Sequence, residues 1–234
     1  MTAGSWDERD GLRRFWWILP PIVFALVTYA MLQVADMIRP ETAQQVSDTV
    51  RRRVPADPRA TVRIENYAGE VRVRMARDDE VDVRITRQGQ VRGDEDRLSV
   101  LASLQIDVVS DGGIVDVRVQ PAPGAPLAGL RADLDVAIPP EAAIEVHNGS
   151  GRVVIEFPGS VVTASTGRGV VDIVLDVEDT FEAVIRAPSF ITNFTVDRHD
   201  LPAVRAAYVV GRGAVPRLRL ELTSHQGQVV IRHD

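Results

Sequence analysis

The chain has 234 residues, 33 Asp and Glu against 27 basic residues, and a formal net charge of −6. That length allows one ordinary domain plus an anchor, and that charge excludes the basic field needed to hold nucleic acid. The absence of Cys removes disulfides, thiol catalysis and thiolate metal sites, and every basic residue is Arg, which we read as codon bias rather than chemistry.

Residues 1–14 read as a cytoplasmic tail. From Phe15 to Ala35 runs an uncharged apolar segment, FWWILPPIVFALVTYAMLQVA. As a helix rising about 1.5 Å per residue it would span roughly 30 Å, the hydrocarbon thickness of a bilayer. We therefore expect a single transmembrane helix over 15–37, with the lipid bilayer as its partner. Trp16 and Trp17 suit the headgroup region, and Arg13 and Arg14 beside them place the N-terminus inside and the rest outside the cytoplasm.

Residues 38–59 read as a juxtamembrane stalk or linker. Ala43, Val46, Val50 and Val54 recur at helical spacing after Pro40, so a spacer with a weakly amphipathic helical face is expected there, ending before Pro55 and Pro58, with a short stalk helix against a partner or lipid as the alternative.

From residue 60 to 234 the pattern is strict alternation. Val62 and Ile64, Val71 and Val73, Val81 to Ile85, Val115 to Val119, Ile144 and Val146, Val153 and Ile155, Val171 and Ile173, and Leu218 to Leu222 put branched apolar side chains on one face. No helical stripe appears after Val54, so the domain is expected to be all-β. Five turns share one spacing, a small polar residue with Gly three later: Asn66/Gly69, Ser110/Gly113, Asn148/Gly151, Thr166/Gly169 and Ser224/Gly227. A polar residue bonding its own backbone two residues on, followed by Gly at φ > 0, is the chemistry of a type I turn with a bulge. Repetition at multiples of about 19–22 residues predicts a β-strand repeat domain, a β-solenoid or roll, or alternatively a two-sheet sandwich. Ala187 to Phe190 fall where one lapsed copy belongs.

These turn segments, NGSGRVVIEF, STGRGVVDIVL and SHQGQVVIRHD, resemble the bacterial putative-adhesin family of β-strand-repeat domains. The resemblance covers roughly residues 60–234 and implies a β-repeat fold at the cell surface, with no catalytic residues to carry over.

Other motifs carry less. His147, His199, His225 and His233 are scattered without zinc spacing. The acidic runs 78–80 and 94–96 lack the Gly and terminal Glu of a calcium loop and read as solvated turns. Chance suffices for Arg92-Gly-Asp94 in such a composition, the sequon at Asn148 is explained by turn geometry, and both it and the sequon at Asn193 mean little in a bacterial chain. All three Trp precede residue 18, which leaves the repeat domain short of aromatic platforms for glycans. The sequence thus points to no catalytic, cofactor or metal residues. It points to a single-pass protein of the cell membrane whose extracytoplasmic domain acts non-enzymatically, adhesin-like, on an unknown protein partner. An envelope signalling regulator or accessory subunit of a membrane complex is the alternative.

Overall fold

The computed structural model describes Tyr29 and residues 44–91, 96–125, 127–176, 179–194, 196–201, 206–211 and 217–233. The chain divides into two compact units, Met1–Ala43 and Gln44–Asp234. In the first, Tyr29 alone is described, helical and exposed. The membrane segment expected over 15–37, with Arg13, Arg14, Trp16 and Trp17, otherwise lies outside the described residues. Among the described residues no helix is long and apolar enough to cross a membrane.

The second unit opens with a strand, β1 (Gln44–Pro55), where a helix and linker were expected. Val46, Val50 and Val54 are four residues apart, a spacing that fits one face of a strand as well as one face of a helix. Their β-branched side chains settle the choice once a neighbouring strand is available. The β domain therefore begins at Gln44, not at residue 60.

The remaining elements follow in chain order: β2 (Thr61–Asn66), β3 (Val71–Met75), β4 (Glu80–Val91), helix α1 (Arg97–Ala102), β5 (Leu104–Asp111), β6 (Ile114–Pro121), β7 (Arg131–Ile138), β8 (Ala143–Ser150), β9 (Val153–Glu156), β10 (Val162–Leu175), β11 (Phe181–Arg186), β12 (Ser189–Thr192), β13 (Val196–Leu201), β14 (Ala206–Gly211) and β15 (Leu218–His233). The all-β expectation holds, with one short exception. Helix α1 starts where Asp96 accepts from the backbone N–H groups of Leu98 and Ser99, so one of the acidic runs read as solvated turns supplies an N-cap.

The strands join in one nearly closed, barrel-like network rather than two separate sheets. Two in-register parallel ladders form its body. In the first, the order is β6, β2, β8, the first half of β10, the first half of β15, then β11. In the second it is β7, β3, β9, the second half of β10, the second half of β15, then β12. Antiparallel hairpins flank them: β4 and β1 extend the second ladder past β7, β5 lies outside β6, and β14 and β13 lie outside β11.

Register turns the alternating pattern into columns. Val117, Ile64, Val146, Ala164, Leu222 and Ile185 stand in line on the first ladder. Val136, Val73, Ile155, Ile173 and Ile231 stand in line on the second. Both columns are buried in a single apolar cluster. Each Val, Leu or Ile among them contributes about 1.5–3 kcal/mol relative to exposure, so a one-residue slip, which would turn a whole strand inside out, is strongly opposed.

The stacking order departs from the chain order. β15 inserts between β10 and the later-stacked pair β11 and β12, although those two precede it in sequence.

Candidate binding trench

The corners between the two ladders organise everything near them. Asn66, Asn148, Thr166 and Ser224 occupy one register position, and all four are buried. Their side chains turn inward and donate to the neighbouring layer: Asn66 Nδ2 to Ala132 O at 3.0 Å, Asn148 Nδ2 to Gly69 O at 2.9 Å, Thr166 Oγ1 to Gly151 O at 3.3 Å, and Ser224 Oγ to Gly169 O at 2.9 Å. Only Thr166 also makes the expected local bond, to Arg168 O two residues on at 3.2 Å. These residues satisfy buried carbonyls between layers, which the spacing alone did not reveal.

The glycines are required chiefly by close approach. A Cβ on Gly151 would stand 2.1 Å from Gly69 O, and one on Gly227 would stand 1.8 Å from Gly169 O. Gly69, Gly151 and Gly169 also have positive φ, whereas Gly227 does not. The fifth expected turn is of another kind. Ser110 and Gly113 form the antiparallel hairpin between β5 and β6; the Ser110 hydroxyl donates to Pro55 O at 3.3 Å, and Gly113 has open space around it. Its place in the corner column is taken by Val119, and a longer segment connects β6 to β7.

Outside this corner lies a trench of about 460 Å³. One wall is the outward column Glu65, His147 and Ser165. The floor comes from the residues just after the corner position: Tyr67, Gly149, Gly167 and His225, with Gln120 beyond Tyr67. Gly149 lies against Tyr67 O and Gly167 against Gly149 O, so the middle of this column has no side chains. Three strand steps of about 4.8 Å separate Tyr67 from His225, which gives a slot roughly 14 Å long with a ring at each end.

His147 is exposed on the wall. Its Nδ1 lies 2.7 Å from Ser165 Oγ and its Nε2 lies 3.2 Å from Glu145 Oε1. Glu145 also accepts from Arg63 Nε at 2.9 Å. That hydrogen bond, reinforced by His147 and opposed by burial, holds the Glu145 carboxyl below its ordinary range. The Ser165, His147, Glu145 set looks like a proton relay. Ser165, however, sits in mid-strand with its backbone paired to His147 on one side and Thr223 on the other. Backbone donors for an oxyanion are thus already committed to the ladders. The set is suited to hydrogen bonding a ligand.

In the sequence His147 and His225 stand scattered, without zinc spacing, and are not grouped with Tyr67. Aligned on their polar residue, the five turns read Tyr67, Asp111, Gly149, Gly167 and His225 at the next position; once the Ser110 hairpin is set apart, two rings stand around two glycines.

No protein-family model matches this chain, and no curated protein matches it. Among solved structures, the chain is similar to a putative cell adhesion protein from Clostridium sporogenes ATCC 15579, 9% identical, with 82% of this chain and 100% of that one covered and a TM-score of 0.50. It also aligns with a putative adhesin from Bacteroides fragilis NCTC 9343, 10% identical over 80% of this chain and 97% of that one, at a TM-score of 0.28. At 9% identity, the first likeness establishes a shared fold.

Proposed function

We propose that the chain is a non-catalytic, adhesin-like binding module, tethered to the cell membrane through residues 15–37, with its β domain on the outer side. Within that domain the layers stack as a β-roll, and the trench between Tyr67 and His225 is the contact surface. The observation that carries this reading is the division of labour at the corner. Asn66, Asn148, Thr166 and Ser224 commit their side-chain donors to the stacking carbonyls, although the first three also border the groove, while Tyr67, His147, Ser165 and His225 supply its rings and further hydrogen-bonding groups around a volume of about 460 Å³. A slot with rings at its ends and hydrogen-bonding groups along one wall fits a narrow, polar, extended segment. The fold shared with a Clostridium sporogenes protein described as a cell adhesion protein supports the same reading.

The test is adherence of intact cells carrying the full chain to collagen-, fibronectin- and mucin-coated surfaces. Tyr67→Ala with His225→Ala should lower adherence about tenfold while surface display is unchanged, as expected for residues that anchor a contact. Equal adherence by the double variant would end the reading. Protease shaving of the same cells checks orientation: a β domain protected in intact cells contradicts an outer location. Removal of residues 1–37 separates binding by the domain from recognition through the membrane segment, the regulator or accessory-subunit alternative.

A further inference from the structure

Strand β1 is bonded to β4 along one edge only. Among the described residues no other strand pairs with it, so the backbone N–H and C=O groups of alternate residues along its twelve face outward. Long bare edges are templates for pairing. The run Arg51-Arg52-Arg53 would ordinarily count as a guard against that, but its members are not equivalent. Arg51 and Arg53 lie on the outer face and are tied to Asp82 of β4. Arg52 lies on the opposite face, exposed, with no carboxylate partner among the described residues.

We propose that this edge pairs antiparallel with the same edge of a second copy, about a two-fold axis at Val50. That register sets Val50 opposite the partner's Val50, Val46 opposite the partner's Val54, and Asp48 opposite the partner's Arg52. The symmetry makes every contact twice. Arg52 gains the carboxylate it lacks. Asp48 has capacity for it, since the Asp48 side chain is 46% exposed and accepts from Arg87 through Oδ2 at 2.5 Å.

Neighbouring registers fail. Centring on Asp48 opposes Asp48 with itself. Centring on Arg51 or Arg52 opposes two guanidinium groups. Centring on Thr49 sets Val46 against Arg52. The Val50 register alone matches apolar with apolar and charge with opposite charge along the inner face, where directly opposed pairs interact.

The full chain in mild detergent provides the test, and its lack of native Cys makes it clean. Val50→Cys should give a disulfide-linked dimer under mild oxidation, because directly opposed residues on paired strands lie within disulfide reach. Gln120→Cys, in the trench, should stay reduced. Arg52→Asp places acid against the partner's Asp48 at both symmetric contacts and should weaken self-association roughly tenfold or more by sedimentation. It breaks no ion pair within the chain, so its circular dichroism should match the parent. Restored association on adding Asp48→Arg completes the support. A full chain that sediments as a monomer at micromolar concentration, with Val50→Cys unlinked, overturns the proposal. So does a dimer whose strength Arg52→Asp leaves unchanged.

Discussion

Ser110–Gly113 and Asn148–Gly151 share a spacing and a composition, yet the chain uses them for different purposes. The first reverses direction between two antiparallel strands, and a Cβ on Gly113 would meet nothing within 4 Å. The second bends the chain from one parallel ladder into the other with a backbone layer pressed against it, and a Cβ on Gly151 would stand 2.1 Å from Gly69 O. Asn148 reaches across to that same carbonyl, whereas Ser110 points to Pro55 at the domain margin. A turn motif specifies the bend. What stacks on the bend decides how much each residue matters.

That contrast can be broken most directly at the glycines. Gly151→Ala must displace backbone on an adjacent layer, and we expect a loss of about 3 kcal/mol or more in chemical denaturation of the full chain. Next in size is Asn148→Ala, which leaves Gly69 O buried without its donor and should cost about 1–3 kcal/mol. Gly113→Ala tests the other side of the comparison. With φ near +84° but free space, it should cost only about 1 kcal/mol. Equal losses at Gly113 and Gly151 would contradict the account of stacked corners.

The smallest expected effect is electrostatic. Asp82 is held below the ordinary carboxylate range, first by its hydrogen bond from Arg51, and Glu145 first by its hydrogen bond from Arg63. A carboxyl whose folded pKa is depressed adds stability that is complete above its unfolded pKa and is lost as pH falls through the folded value. Thermal midpoints should therefore drop on acidification below about pH 4, the ordinary carboxylate range. Glu145→Gln should flatten that drop slightly, by under about 1 kcal/mol, because Arg63 and Glu145 are both about one-third exposed and solvent screens the pair.

Much of the β domain could be read from the sequence because alternation is a local signal. Val62 and Ile64, or Ile173 and Leu175, point inward wherever their strand ends up. The small-polar and Gly spacing likewise located four of the corners. The order of layers was not legible, since nothing in β15 distinguishes a neighbour of β10 from an outermost strand. β1 was misread because steps of four residues satisfy two periodicities at once. The inward aim of Asn66 and Asn148 was hidden for a related reason. A residue that bonds its own turn and one that bonds the layer beside it look alike in sequence. The trench lay one step further away, because it exists only when Tyr67 and His225, 158 positions apart in the numbering, are brought to the two ends of one column, three strand steps from each other.

The interleaving of β15 also governs how the molecule must be assembled. Residues 181–192 are made before the strand that joins them to the rest of the stack, so during synthesis or export they wait, apolar faces unsheltered, until 218–233 arrive. Contacts so distant along the chain form slowly. Trimming the last sixteen described residues would extract a middle slice of the pile rather than shave its end, cutting the outer pair adrift. Exoproteolysis from that side is thus a whole-domain vulnerability.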